Sequence, residues 1–289
     1  MSRIALGTAQ LGQRYGIANH LGIPAADEAA AILRCAAAAG SDTIDTAMAY
    51  GDSEAVLGRA GVAAFDIVTK LPPLANGAGD VEVWVRAQLQ DSLARLRVPK
   101  VRGLLLHRST DLAGPGGAAL RDVLKAVKHE GLVERIGISV YGPDEVLALD
   151  GVLQLDIVQA PYNLLDRRFE RSGCFERLRR AGTEIHARSA FLQGLLLLPR
   201  SGIPAAFAAW RQVLDRYHDW LDGQQTSALD ACLGFALGND KVDKVVVGVE
   251  SAAQLREIYA SAGRAGPAAP AELETDDLDL VNPANWKRA

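Results

Sequence analysis

The sequence predicts an α/β fold, a parallel (β/α)8 TIM barrel filling one domain, and three observations predict it. Short β-branched runs alternate with longer Ala-, Leu- and Arg-rich stretches eight times over, the pattern of strand–helix–strand units. The short runs are nearly continuous in apolar content, as parallel strands covered on both faces must be. The chain has 289 residues, which suits a barrel of about 250 residues carrying small additions. The structural rival is an open doubly wound sheet. It would advertise a glycine-rich turn after its first strand, and Gly7-Thr8-Ala9-Gln10 is not G-x-G-x-x-G.

The strands are expected at RIAL (3–6), DTIDTA (42–47), DIVTK (66–70), VRGLLLH (101–107), RIGISV (135–140), DIVQAPY (156–162), TEIHARS (183–189) and DKVVVGV (243–249). The helices between them have readable ends. Residues 25–39 carry Asp27 and Glu28 in the first turn and Gly40 just past the last, the charge and glycine polarity of a helix. An amphipathic stretch at 80–97 stops near Pro99, and 117–130 ends at Gly131. Pro143-Asp144-Glu145 opens a short helix with proline near its first position. Residues 167–181, 226–237 and 251–262 complete the set. The longest interval, between the last two strands, holds AAFAAWRQVLDRYHDWLDG, an extra helix around 205–221. No linker divides the chain. Residues 263–289 form a Pro- and acid-containing tail whose end, Val281 to Trp286, is apolar enough to dock back on the barrel.

Composition narrows the partners. Apolar residues are 49% and charged residues 23%, ordinary for a globular protein, and a net charge of −4 offers no general attraction to nucleic acid or an anionic membrane. No apolar run approaches the roughly 18 residues needed to span a bilayer. MSRIALGTAQ lacks the pattern of a signal peptide, so a cytoplasmic location is the default expectation. Cys35, Cys174 and Cys232 are odd in number and widely spaced, and read as reduced core thiols; no metal site is expected. The protein is expected to be a monomer or small homo-oligomer.

In parallel barrels the working residues stand at the C-terminal ends of strands. Those ends supply Asp45, Lys70 and His107 on strands two, three and four, with Tyr50 one loop beyond Asp45. Each has a bland explanation: a loop-start hydrogen bonder, a snorkelling lysine, a satisfied core histidine. Together on consecutive strands they form a specific constellation. A tyrosine titrating near ~10 is by itself a weak acid for proton transfer near neutrality. A lysine cation beside it is expected to lower that value, with Asp45 holding Lys70 charged and His107 donating a hydrogen bond to the substrate oxygen.

The segment DTIDTAMAYGDSEAVLG (42–58) resembles the signature of the aldo-keto reductase family, in which Asp and a Tyr five residues on are followed by Gly-x-Ser-Glu-x-x-Leu-Gly. Strands ending in VTK and LLLH resemble the next two family markers. The resemblance runs from Ile4 to about Tyr259 and implies that Asp45, Tyr50, Lys70 and His107 are a catalytic tetrad serving a nicotinamide cofactor. AFLQGLLL (190–197), GTAQLGQRYGIAN (7–19) and the closing NPANW resemble a bacterial branch of the family often taken to act on sugars or sugar nucleotides, and the resemblance as a whole implies a small-molecule carbonyl or alcohol as partner, interconverted by hydride transfer.

The resemblance also implies cofactor positions. In VVVGVESAAQLREIY (245–259), Gly248, Ser251 and Gln254 match phosphate-binding positions, although Ser251 and Gln254 equally form a capping box at the last helix. Val249 and Leu255 stand where basic residues often hold a 2′-phosphate, with Arg256 adjacent. NADP is therefore expected by a narrow margin, with NAD the alternative. Ser139 and Gln159 match the pair that grips the nicotinamide amide, Thr8 the small hydroxyl that borders it, and Arg188 stands in place of a stacking aromatic. Tyr15, Tyr162, Asn163 and Trp286 either line a substrate pocket or pack loops. Two rivals remain at the level of sequence: a cofactor-binding regulatory subunit, and a redox-neutral lyase or epimerase on the same barrel.

Overall fold

The computed structural model describes residues 2–74 and 79–286. Eight parallel strands close into a barrel in chain order: β1 (Ile4–Gly7), β2 (Thr43–Asp45), β3 (Asp66–Leu71), β4 (Val101–Leu106), β5 (Val133–Ser139), β6 (Ile157–Pro161), β7 (Glu184–Arg188) and β8 (Lys244–Gly248). Every strand end lies within two residues of its expected position. The ring closes where β1 pairs with β8, and Gly7 stands opposite Asp45 on one side and Gly248 on the other.

Side chains alternate along a strand, so each strand sends one set outward to the helices and one set into the lumen. The outward set (Ile4, Leu6, Ile44, Leu104, Val158, Val245) joins the main core beneath the helices. Burying each such side chain contributes about 1.5–3 kcal/mol, so the ring of helices carries most of the stability. The inward set is thin and mostly polar. Val68, Leu105 and Ile157 form a separate small cluster across the lumen. Asp45, Lys70, Ser139 and Gln159 share that inward parity and sit toward the C-terminal end, where β5 pairs Ser139 with Gln159. Toward the N-terminal end β7 places Glu184 and His186 on the same parity as Arg188 at its tip.

The helices are α1 (Ala9–Gly12), α2 (Ala26–Ala38), α3 (Ser53–Ala60), α4 (Val81–Leu96), α5 (Gly117–His129), α6 (Pro143–Leu147), α7 (Arg168–Arg171), α8 (Cys174–Arg180), α9 (Arg211–Gln224), α10 (Ala228–Gly238), α11 (Ala252–Ala262) and α12 (Leu278–Val281). The short helices α1 and α12 were not expected, and three further departures are instructive. The first is α3, which apolar periodicity does not announce because its buried face is Ser53, Glu54, Leu57 and Gly58. The expected helix at 167–181 is broken into α7 and α8 by Gly173, which adopts a left-handed φ of 72°. The extra helix before β8 begins as a 3-10 turn over Ala205–Trp210 and becomes α-helical only at Arg211.

The tail docks on the barrel as expected. Leu273, Leu280 and Val281 are buried, Thr275 N–H donates to the Leu165 carbonyl at 2.9 Å, and Trp286 meets Phe207 edge-on at 4.9 Å. All three cysteines are free thiols. No helix among the described residues is long and apolar enough to cross a membrane.

Candidate active site

The tips of β2, β3 and β6 are joined through one carboxylate. Lys70 Nζ lies 2.7 Å from Asp45 Oδ1 and donates also to the Thr46 carbonyl at 2.8 Å. Gln159 Nε2 donates to the other oxygen, Asp45 Oδ2, at 2.6 Å, and Ser139 Oγ approaches Gln159 Oε1 at 3.5 Å. Thr8 Oγ1 donates to the Asp45 backbone carbonyl at 3.0 Å. Lys70 is fully buried and Asp45 is 3% exposed, so neither charge would be tolerated alone. Burial draws the lysine pKa below its ordinary value, and the contact with Asp45 pulls back the other way.

Tyr50 is set above this pair by a close backbone approach. A Cβ on Gly12 of α1 would lie 1.8 Å from the Tyr50 carbonyl oxygen, and one on Gly51, at φ +52°, would lie 2.2 Å from the Gly12 oxygen. Only glycine at both positions lets α1 press against the turn that carries Tyr50. Lys70 Nζ is 5.2 Å from the Tyr50 ring centroid, and His107 meets that ring edge-on at 5.9 Å. The four residues of the expected tetrad are thus brought together.

Their electrostatics differ from expectation in one respect. The Tyr50 phenol stands above its ordinary pKa, pushed up first by burial and then by the Asp45 carboxylate, with Arg188 opposing. The Lys70 ammonium lies 5.2 Å from the Tyr50 ring centroid and is matched by Asp45 at 2.7 Å. His107 is held down to about 4, by burial first and then by Lys70 and Arg188, so it is neutral at pH 7 and has an N–H to donate.

Tyr50 stands between two cavities. A long groove of about 560 Å³ runs from Asp45 and Tyr50 past Gly7, Thr8 and Gly248 to Gln254 and the start of α10 at Ser227 and Ala228. A smaller cavity of about 260 Å³ is lined by His107, Ser139, Tyr141, Gln13 and the tail residues Pro283 and Ala284. Tyr15, Tyr50, Gln159, Arg188 and Gln193 line both.

The model of the Aldo/keto reductase family matches residues 3–265, nearly the whole barrel. The chain belongs to this family. Its members are nicotinamide-dependent oxidoreductases. A human relative, aflatoxin B1 aldehyde reductase member 2, is 30% identical over 208 residues, covering 66% of this chain and 54% of that protein. The chain therefore spans about half the length of the curated relatives it matches. Among solved structures, an aldo-keto reductase of Bacillus halodurans in its holo form superposes with a TM-score of 0.75 at 20% identity, covering 93% of this chain and 89% of the other. The glycerol dehydrogenase of Gluconobacter oxydans superposes with a TM-score of 0.69 at 21% identity, covering 93% and 88%. At such identities the superpositions show the shared barrel.

The long groove carries several features that bear on whether a dinucleotide could be held there. Gly248 lines the groove with the Gln10 side chain packed against it, so that a Cβ there would lie 2.4 Å from the Gln10 amide. The N-terminus of α10 opens on the groove at Ser227 and Ala228, offering backbone N–H groups to an anion. Thr8, Gln159, Arg188, Gly248 and Gln254 line it, and Ser139 lines the smaller cavity. Ser251 and Arg256 are not in the lining. Ser251 caps α11 by accepting the Gln254 N–H at 3.2 Å, and Gln254 Oε1 accepts the Glu250 N–H at 2.7 Å. Arg256 is exposed on α11. The carboxylates of Glu250 and Glu257 line the groove instead.

Gln10, Gln13, Gln193, Glu250 and Glu257 were not legible as site residues. They lie on loops or short helical turns, or, for Glu257, at an exposed position of α11, where no apolar periodicity marks a direction. Of the undecided aromatics, Tyr15 lines both cavities. Tyr162 packs on Phe175 and Phe235 and donates to Glu170 at 2.8 Å, while Asn163 is buried and donates to the Ser189 carbonyl at 3.1 Å. Trp286 packs on Phe207.

Proposed function

We propose that the chain interconverts a small aldehyde or ketone with its alcohol using a nicotinamide cofactor, with Tyr50 as proton donor. The observation that carries this is the buried Asp45–Lys70 pair at 2.7 Å beneath a tyrosine that separates a dinucleotide-sized groove from a small polar cavity. Bound in the long groove, the cofactor would supply hydride to the carbonyl carbon. The protein's part is everything else. Neutral His107 donates a hydrogen bond to the carbonyl oxygen and orients it. Tyr50, protonated at neutral pH, passes its phenolic proton to that oxygen as charge builds there. Arg188 is the cation that opposes the upward shift of Tyr50 and so eases formation of tyrosinate. Asp45 keeps Lys70 in place, and Lys70 holds a positive charge 5.2 Å from the centre of the Tyr50 ring. Thr8, Ser139, Gln159, Gly248 and Gln254 would hold the cofactor.

The charge of the groove bears on which nicotinamide is used. NADP, favoured narrowly by sequence with Arg256 and Ser251 as phosphate ligands, would bring its 2′-phosphate toward Glu250 and Glu257, and among the described residues Arg188 is the single Lys or Arg in the lining. Like charge is repulsive here, whereas carboxylates accept hydrogen bonds from a free ribose diol. The groove thus supports NADH over NADPH. Equilibrium fluorescence titration with both cofactors, followed by nicotinamide absorbance against a panel of small aldehydes and ketones, tests the whole proposal. Binding of a cofactor with turnover of at least one carbonyl is expected. Failure to bind either cofactor would overturn it.

A further inference from the structure

The smaller cavity carries an inference about substrate class that rests on the Tyr50 reading above. Its lining is unusual in charge. Among the described residues it contains Arg188 and no carboxylate, while Gln13, Tyr15, Ser139, Tyr141 and Gln193 supply neutral polar groups. His107, the other titratable cation there, is held neutral at pH 7. Arg188 is half-buried and has no ion-pair partner among the described residues. The guanidinium is nonetheless held in a fixed pose. It lies over the Tyr141 ring at 4.5 Å, donates through Nη2 to the Val140 carbonyl at 2.9 Å and through Nη1 to Ser189 Oγ at 3.2 Å. The backbone behind it is strained, with Ser189 at φ 61° and Gln193 at φ 54°. A guanidinium has five N–H donors, and two are committed to the protein. A half-buried, unpaired and pre-oriented cation is costly to the fold. The cost is offset when an anion binds, with charge-assisted hydrogen bonds in a fixed geometry.

We propose that the substrate is a short carbonyl compound bearing an anionic group, a carboxylate or a phosphate, and that Arg188 binds that group in the smaller cavity while Tyr50 and His107 receive the carbonyl. The volume of about 260 Å³ lies below the roughly 300–1,000 Å³ of drug-sized sites, which restricts the substrate to a few carbons. Pro283 and Ala284 of the tail close one wall and set that limit.

The test compares matched pairs: glutarate semialdehyde against pentanal for the carboxylate, and glycolaldehyde phosphate against glycolaldehyde for the phosphate. In the wild type the anionic member of at least one pair is expected to have the higher kcat/KM, by roughly tenfold or more, expressed mainly in KM. Arg188→Gln is expected to bring that ratio close to one. Arg188→Lys retains part of it, since lysine keeps the charge and loses the planar fork. The ratio within each variant cancels any general loss of activity or of folded protein. Calorimetric binding of glutarate and of inorganic phosphate gives a second readout, which is expected to disappear in Arg188→Gln. A wild-type ratio near one in both pairs overturns the proposal. So does an Arg188→Gln variant that keeps the ratio and instead loses cofactor affinity, which would assign Arg188 to the nicotinamide. Arg188-dependent binding of either anion with no turnover of any carbonyl would leave the anion site standing and remove the catalytic role of Tyr50.

Discussion

The two ends of β7 carry charges of opposite fortune. At the N-terminal end Glu184 is saturated: Arg102 approaches it at 2.6 Å, His186 at 2.8 Å and Arg135 at 3.3 Å. Nearby, Lys244 meets Asp42 at 2.5 Å and Arg102 also reaches Asp66 at 3.3 Å. Four residues along the same strand and on the same face, Arg188 has no carboxylate, Tyr50 is pushed above its ordinary pKa and His107 is held below its own. The lower end consumes its charges internally and closes the barrel. The upper end keeps polar groups lining two cavities, where the proposed cofactor and substrate would bind. One strand thus serves stability at one end and chemistry at the other, the division of labour expected of this architecture.

The sharpest way to break that contrast is to make the upper end fail as structure. Among the described residues there, the Asp45–Lys70 pair is an ionic contact with both side chains 5% exposed or less. Lys70→Met should cost roughly 3–5 kcal/mol in denaturant unfolding, because it strands a buried carboxylate, and should impair turnover as well. Asp45→Asn should cost less, and the double variant should lose less than the sum of the two. Additive losses would show that the residues do not act as a pair.

Tyr50→Phe comes next. It should lower carbonyl reduction by about 100-fold or more while leaving cofactor affinity and unfolding free energy close to wild type. Near-normal turnover would remove Tyr50 from the mechanism.

At the lower end the effect should be the reverse in kind. Glu184→Gln should leave turnover unchanged and cost on the order of 2 kcal/mol of stability. Burial alone would raise the Glu184 pKa, but hydrogen bonds and charge from His186 and Arg102 hold it down to about 2. A carboxyl depressed in the folded state contributes stability that is fully present above its unfolded value of about 4.5 and fades as pH falls toward 2. Denaturation measured across that window should show a steep acid limb in the wild type and a shallower one in Glu184→Gln.

The smallest expected effect concerns the cofactor. Arg256→Ala should leave NADPH affinity unchanged, since Arg256 is not in the groove lining. Glu257→Gln should raise NADPH affinity by no more than about fivefold, because the charge removed is solvent-exposed. A loss of NADPH affinity in Arg256→Ala would return the phosphate to the place the sequence suggested.

The strands, their order and the residues at their tips were legible from sequence because burial on both faces writes an apolar run that no helix of similar length shares. Asp45, Lys70 and His107 followed from strand-end parity, which is a property of the local chain, whereas Tyr50, in the turn after β2, followed from the resemblance of residues 42–58 to the family signature. Helix α3 was not legible, because its buried face is polar and small and meets partners brought from afar, such as Ser92 and Arg95 hydrogen-bonding Glu54. Nor was the reason for Gly12 and Gly51, which is a contact between segments 39 residues apart. The sequence by itself determined which groups stand at the mouth of the barrel. Only the tertiary structure decided which of them are already paired, that Tyr50 lies above its ordinary pKa rather than below, and that carboxylates face the groove where Arg256 was expected. Burial and pairing are sums over neighbours that the folded chain alone assembles.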